Sequence, residues 1–327
     1  MSSPATIERV LRRHDSGEYF ARLANHPVPH AWRRTPELVY HTRVNAVEPR
    51  FTIVTPAFNH EAIIADVIDA AAAAASLPFD CMIVDDGSTD NTAARARSVF
   101  ESRRSPLIAR ATIIRNPVPI YETACDNLGF ALADTEIIIE VQADIQIREP
   151  AFDALFLRAL ATVPTPSALS GRCGHTFASL KRLPGIRSLV GRTPPQSVGL
   201  CGKNIDRPEI VNPIRGLIYR CETVNRGPWL LLKRDLERHG YLDERYFFQG
   251  NDDHDYHRRI YHAEARRPLY VPIALYAPLA LGAFRRPRTG LNREIFAALT
   301  REKRGSPEYR RFVESQRSWS PPEEIST

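Results

Sequence analysis

The stretch FTIVTPAFNHEAIIADVIDAAAAAASLPFDCMIVDDGSTDNT, residues 51–92, decides the fold. It opens with a β-branched run (51–55), continues into an alanine-rich run (61–76), and returns to an apolar run (80–84). Short β-branched and apolar runs are typical of buried strands, whereas the long alanine-rich run is typical of a helix, for which Asn59 offers an N-cap. The stretch therefore predicts a strand–helix–strand unit.

The same alternation continues to about residue 147. AARARSVFESRR (93–104) predicts a helix, ATIIR (111–115) a strand, ETACDNLGFALA (122–133) a helix and TEIIIEV (135–141) a fourth strand. Strands that alternate with helices predict an α/β fold with a Rossmann-like, mostly parallel central sheet and helices on both faces.

The chain divides into three predicted parts. Residues 1–50 form an N-terminal extension, residues 51–282 the main domain, and residues 283–327 a basic, helical C-terminal tail. The main domain has a regular first half (51–147) and a Gly/Pro-rich second half (148–282), in which we expect long loops and a helix from Asp252 to about Glu264.

Polar clusters follow three of the predicted strands: TPAFN (55–59), DDGSTD (85–90) and QADIQ (142–146). Ligands of parallel α/β sheets bind at the carboxyl ends of the strands, so the three clusters predict one binding site. A strand-end aspartate can accept hydrogen bonds from a nucleobase or from ribose hydroxyls. A well-capped turn is the structural alternative for DDGSTD, and a calcium loop lacks the required ligand spacing.

A further acidic cluster, QGNDDHDYHRRI (249–260), opens the predicted late helix with Asp252, Asp253 and Asp255. The positive end of the helix dipole keeps carboxylates ionised there, as a general base requires. A charge-balanced surface helix is the alternative reading. A zinc site built on His254 and His257 is a second alternative, but no further set of His or Cys ligands accompanies them.

Composition places the chain among folded globular proteins, with 43% hydrophobic and 25% charged residues. No window is long and apolar enough for a membrane span, and the start lacks a signal-peptide core, so we expect a cytoplasmic protein. The net charge of +6 gathers at the two ends of the chain. We expect no nucleic-acid partner, because those ends lack aromatic platforms, but peripheral contact with anionic lipid at the inner face of a membrane is compatible with them.

The motifs FTIVTPAFN, CMIVDDGSTDNT, TEIIIEVQADIQ and GNDDHDYHRR, in this order, resemble the family 2 glycosyltransferases over residues 50–275. The resemblance implies the GT-A fold and inverting transfer of a sugar from a nucleoside diphosphate sugar, with a UDP-sugar as the first expectation. A glycan or lipid-linked hydroxyl acceptor in surface polysaccharide assembly would complete the reaction. The alternative is a catalytically silent GT-A protein that binds sugar nucleotides.

The resemblance also implies roles for individual residues. Asp253 matches the catalytic base, and Asp252 precedes it in the acidic pair. Trp229 would stack on the acceptor sugar, with a core tryptophan as the alternative. The residues implied in nucleotide-sugar binding are Thr55, Pro56, Asp85, Asp86, Asn127 and Asp144, with Asp86 at the base edge.

Two departures from the family pattern affect charge. Asp126 stands where an arginine is common, and Gln146 replaces the second carboxylate of the metal-binding strand end that begins with Asp144. We therefore expect Mg²⁺ or Mn²⁺ to be weakly held, through Asp144 and the substrate phosphates. Arginines of the tail (Arg285, Arg286 and Arg288) are the alternative source of positive charge.

Overall fold

The computed structural model describes residues 36–102, 105–117, 119, 121–172, 174–175, 196–198, 216–244, 252–278 and 323–326. Predictions for the tail arginines and for most of the N-terminal extension lie outside these residues.

Strands and helices alternate in the first half of the described residues, and strands predominate after α4. The helices are α1 (Ile64–Ala74), α2 (Thr92–Glu101), α3 (Glu122–Leu132), α4 (Phe152–Thr162), α5 (Lys233–His239) and α6 (Asp252–Glu264). The strands of the first half are β1 (Glu37–Arg43), β2 (Phe51–Ala57), β3 (Phe79–Asp85), β4 (Ile108–Arg115), β5 (Ile137–Glu140) and β6 (Gln146–Ile147). Those that follow are β7 (Leu169–Ser170), β8 (Gly174–His175), β9 (Gln196–Val198), β10 (Leu217–Arg220), β11 (Thr223–Val224), β12 (Trp229–Leu232), β13 (Leu269–Tyr270), β14 (Leu275–Ala277) and β15 (Glu323–Ser326).

One large sheet runs in the order β1-β4-β3-β2-β5-β12-β7-β13-β10-β15. Strands β4, β3, β2 and β5 are mutually parallel, as the alternating pattern predicts. Beyond β5 the sheet is mixed, because β12 runs antiparallel to both β5 and β7. The parallel part brings the carboxyl ends of β2, β3 and β5 to one edge, where the polar clusters lie.

Helices cover both faces of the sheet. Alternate residues of β3 pack into two separate hydrophobic clusters, with Ile83 in one and Val84 in the other. The first cluster includes side chains of α1, α2 and α4, and the second includes those of α3, α5 and α6. The period-two alternation of a strand therefore separates the two helical layers.

Gly129 marks the closest approach of a helix to the sheet. A Cβ atom added to Gly129 of α3 would lie 2.3 Å from Cγ1 of Val54 in β2. The absence of a side chain at position 129 lets α3 pack directly on β2, which fixes the start of α3 near the carboxyl edge of the sheet.

Three local predictions are wrong. Asn59 is not a cap: α1 begins after Ile63, and no side chain caps it. Long loops are expected over residues 148–282, yet WLLL (229–232) forms β12 in the middle of the sheet. The end of the predicted helical tail is a strand, β15, paired with β10.

The edge strand β1 was not predicted from the sequence. It belongs to the predicted N-terminal extension and pairs antiparallel with β4. Within the ranges described above, no helix combines the length and the apolar character that crossing a membrane requires.

Candidate active site

The turns after β2 and β3 are joined by hydrogen bonds between side chains and backbone. The side-chain oxygen of Asn59 accepts a 2.8 Å bond from the amide of Thr89, and the amide of Asn59 donates to the hydroxyl of Ser88. Asn59 has a φ of +56°, a left-handed conformation that asparagine tolerates better than most residues. These contacts hold the two polar clusters side by side at the edge of the sheet.

Thr55 and Pro56 lie in β2 beside the end of β3. They are in register with Ile83 and Val84, and the next pair in the register is Ala57 with Asp85. Both Thr55 and Pro56 are buried, so they lie at the level of the polar edge without forming its surface.

The adjacent aspartates at the end of β3 have different partners. Asp85 accepts a 3.0 Å bond from the amide of Ser88, and Arg115 lies 3.5 Å from its other oxygen. Asp86 accepts a 3.0 Å bond from the amide of Tyr121 and a 3.3 Å bond from the side chain of Asn116. Asp85 therefore shapes the turn, while Asp86 connects the end of β3 to the start of α3.

The first turn of α3 continues from Asp86 to the acidic cluster. Tyr121 precedes the helix with a φ of +72°, which is strained for a bulky residue. Thr123, two residues later, donates a 2.7 Å hydrogen bond to the Asp252 carboxylate. The structure thus brings together the end of β3, the start of α3 and the start of α6.

The two aspartates that open α6 have different surroundings. Asp252 is fully buried (0% exposed), whereas Asp253 is 7% exposed. Burial raises the pKa of Asp252, and Arg226 opposes that shift. Oδ1 of Asp253 accepts a 2.7 Å bond from the amide of His254. Asp252 is therefore held inside the protein, while Asp253 lies nearer to the surface.

Arg226 is the charge partner of this region. Its guanidinium is bonded to Asp126, lies 3.0 Å from Asp252 and lies 3.7 Å from Glu122. The residue that departs from the family pattern, Asp126, thus has an arginine beside it that comes from the loop before β12. Arg226 was not predicted from the sequence, and the only signal for it was the aspartate at position 126 in place of the usual arginine. A buried acid there needs a cation.

Asp144 lies in the loop after β5 and is partly exposed. Its carboxylate is near His60, in the loop after β2: burial lowers the pKa of the His60 imidazole, and Asp144 opposes that shift. Gln146 is buried, and its side-chain oxygen accepts a hydrogen bond from Arg148. The residues present therefore fit a Mg²⁺ or Mn²⁺ ion that takes one carboxylate from this strand end, and phosphate and water oxygens besides.

A second group of acids could offer metal ligands. Carboxylate oxygens of Glu122, Asp126 and Glu140 lie within 4.8 Å of one another. Arg226 already pairs with the first two, and burial raises the pKa of Glu140 to about 8, so this carboxyl holds a proton at neutral pH. The Arg226 guanidinium already pairs with this cluster, and the Glu140 carboxyl is protonated. Neither suits a divalent ion, so we do not assign a metal here.

Two predicted ligand-binding residues are turned toward the protein interior. Asn127 is fully buried, donates to the carbonyl of Leu242 and to Glu244, and accepts from the amide of Leu242. These bonds engage its amide group in holding the segment before α6. Trp229 is 0% exposed and packs edge-on against Tyr256, which corresponds to the alternative of a core tryptophan.

Residues 52–162 match the model of Glycosyl transferase family 2. They include β2 to β5, α1 to α4, and the residues Asp85, Asp86 and Asp144, so over this part the chain is similar to that family. The match agrees with the predicted family over residues 52–162, and the sheet topology confirms the predicted α/β fold with its parallel central strands.

The chain is also similar to solved structures, at low sequence identity. TarS of S. aureus is 16% identical, with 79% of this chain and 66% of that chain covered and a TM-score of 0.46. The mannosyltransferase PcManGT from Pyrobaculum calidifontis, in complex with GDP-Man and Mn²⁺, is 17% identical, with 82% and 65% covered and a TM-score of 0.48. The chain thus spans just under two thirds of the length of these proteins. No curated protein matches the sequence.

Proposed function

We propose that the protein is an inverting glycosyltransferase. It transfers a sugar from a nucleoside diphosphate sugar, with a UDP-sugar as the first candidate, to a hydroxyl of a glycan or lipid-linked acceptor. Surface polysaccharide assembly is the proposed setting, at the cytoplasmic side of a membrane.

The observation that carries this proposal is the continuous connection from Asp86 to Asp252. Asp86 is bonded to Tyr121 at the start of α3, and Thr123 of the same turn is bonded to Asp252 at the start of α6. One helical turn therefore connects a strand-end carboxylate suited to a nucleoside with the start of α6, where Asp253 follows Asp252.

The donor nucleotide would lie along the edge formed by the ends of β2, β3 and β5. Asp86 supplies carboxylate oxygens as acceptors for a base edge or a ribose, and Asn116 orients this carboxylate through a 3.3 Å hydrogen bond. Asp85 contributes by shaping the turn through Ser88. Thr55 and Pro56 support that turn from β2.

Asp253 is the proposed general base. It accepts the proton of the acceptor hydroxyl as the oxygen attacks the anomeric carbon from the face opposite the leaving group. The bond from the anomeric carbon to the diphosphate breaks, and its electron pair leaves with the nucleoside diphosphate, so the configuration inverts. Asp252 is the less suitable base, because its carboxylate is buried and bonded to Thr123 and Arg226.

Charge on the leaving diphosphate has to be neutralised in the transition state. Asp144 would hold a Mg²⁺ or Mn²⁺ ion there, and the ion supplies electrostatic stabilisation of the leaving group when bound. With Gln146 directed toward Arg148, this strand end contributes a single carboxylate to the ion.

Two measurements test the proposed function. Thermal unfolding with UDP, GDP and dTDP, each with and without Mn²⁺, identifies the nucleotide, since a ligand at 100 times its dissociation constant stabilises by about 2.7 kcal/mol. Mass spectrometry of mixed acceptors with the matching nucleotide sugar then detects transfer, and NMR of the product gives its anomeric configuration. Stabilisation without transfer supports a silent sugar-nucleotide-binding protein, and no stabilisation by any nucleotide contradicts both functions.

A further inference from the structure

Arg226 lies between α3 and α6 and contacts both helices through one side chain. One end of its guanidinium binds Asp126 of α3, and Nη2 lies 3.0 Å from the carboxylate of Asp252, the first residue of α6. The side chain is only 7% exposed. Such a contact fixes the relative position of the two helices more tightly than a solvent-exposed ion pair.

The backbone of Arg226 is held as well. Arg172, itself buried, donates from Nη1 to the Arg226 carbonyl (3.2 Å) and to the side-chain oxygen of Gln142 (2.8 Å). Gln142 in turn donates a 2.7 Å bond to Glu122 in the first turn of α3. Gly227 follows with a φ of +73°, and a Cβ there would lie 2.9 Å from Gln142. Arg226 is therefore anchored to the segment after β5 and to α3 at the same time.

The carboxylates around Arg226 need a cation in this place. Asp126 and Asp252 are both fully buried, and Asp253 is adjacent to Asp252 in the chain. Leaving buried carboxylates unpaired costs several kcal/mol, so the start of α6 would move or bind protons without this arginine. A guanidinium reaches two carboxylates at fixed angles, whereas a lysine ammonium is a single point charge on a flexible stem.

We propose that Arg226 is a positioning residue for sugar transfer, which holds Asp252 against Thr123 and thereby sets the position of the Asp253 carboxylate. This inference rests on the proposed function, because Arg226 acts through the base. Arg226 itself does not touch the reacting atoms.

The matched comparison is between Arg226 and Arg266, an arginine that binds Asp235 and Glu264 beyond the other end of α6. Each arginine is changed to lysine and to glutamine, and kcat, the donor KM and nucleotide binding are measured. Arg226→Lys should lower kcat by about 100-fold, the effect of a misplaced catalytic group, and leave nucleotide binding unchanged. Arg226→Gln should lower kcat at least as far, and Arg266→Lys should keep the kcat of the unmodified protein.

A double-mutant cycle with Asp252→Asn separates positioning from general stability. If Arg226 acts through Asp252, Arg226→Lys should lower kcat much less in the Asp252→Asn protein than in the unmodified one. Effects on kcat that simply add would overturn the proposal.

The remaining outcomes are also decisive. Equal kcat in Arg226→Lys and Arg266→Lys contradicts the proposal, and so does a loss confined to nucleotide binding. Failure of Arg226→Lys to fold assigns the residue a purely structural role and overturns it too. An unmodified protein that transfers no sugar from any donor contradicts the proposed function itself, whereas a defect limited to the Arg226 variants leaves that function standing.

Discussion

Thr123 donates a 2.7 Å hydrogen bond to Asp252, and this bond joins the first turn of α3 to the first residue of α6. Two residues before Thr123, the amide of Tyr121 donates to Asp86 at the end of β3. The start of α3 therefore links the proposed nucleotide site to the helix start that carries the proposed base, and Thr123 and Asp252 are 129 residues apart in the sequence.

The hydroxyl of Thr123 should matter for both stability and activity. Thr123→Val keeps the shape of the side chain but leaves the buried Asp252 carboxylate without this donor, which should cost about 1–3 kcal/mol of unfolding free energy. It should also lower kcat, because the start of α6 loses a contact. Urea unfolding and transfer kinetics measure the two effects. Thr123→Ser retains a hydroxyl and is the control, so equal behaviour of the two variants would argue against the bond's role.

Gly129→Ala should destabilise the protein, because the added methyl would meet Cγ1 of Val54 at 2.3 Å. Overpacking of this kind costs about 1–3 kcal/mol, measured as a lower urea midpoint. Val54→Ala removes the opposing methyl groups, so the double variant should lose less stability than the sum of the single variants. Additive losses would show that α3 can shift away from β2.

Glu140 should make stability depend on pH. Burial raises its pKa to about 8 in the folded protein, against an ordinary value of 4.5. Between these two pH values the folded state holds a proton that the unfolded state releases. The stabilising contribution of Glu140 to the free energy of unfolding is therefore fully present below pH 4.5 and is lost as the pH rises through about 8. The slope is at most about 1.4 kcal/mol for each pH unit.

Glu140→Gln tests this assignment, because glutamine is neutral at every pH. Urea unfolding from pH 5 to 9 should show a smaller decline for Glu140→Gln than for the unmodified protein. Glu244 also has a pKa raised to about 8 by burial, so part of the decline should persist. Identical pH profiles for the two proteins would mean that Glu140 is ionised when folded.

Removal of divalent ions should reduce sugar transfer without abolishing it. The strand end that carries Asp144 offers one carboxylate, so an ion there should be held mainly by the donor phosphates. EDTA should leave measurable activity, and Gln146→Asp should not raise it unless the bond to Arg148 is released. Complete loss with EDTA and full recovery with Mn²⁺ would contradict a weakly held ion.

The sequence predicts the first half of the fold well, because each strand and helix there has its own local pattern. Strands β2 to β5 and helices α1 to α3 come from apolar runs separated by polar turns, and α6 spans Asp252–Glu264 as expected. Strand β12 was not predicted, because the short apolar run WLLL is compatible with either a strand or a buried loop. Its pairing with β5 and β7 makes it a strand.

The site is harder to predict than the fold, since its contacts join distant segments. The strand-end aspartates are visible as motifs, but the bond from Thr123 to Asp252 and the pairing of Arg226 with Asp126 depend on tertiary packing. Asn127 shows the converse: the family resemblance implies a ligand contact, while its hydrogen bonds hold the segment before α6.

The central claim is that Asp253 is the base of a sugar transfer reaction, and one comparison tests it most directly. Asp253→Asn and Asp255→Asn each remove one acid from the first turn of α6, and Asp255 is paired with Arg259 one turn later. Asp253→Asn should lower kcat for transfer by about 10²–10⁴-fold with nucleotide binding intact, while Asp255→Asn should remain active. An Asp253→Asn protein with the kcat of the unmodified protein would contradict the account.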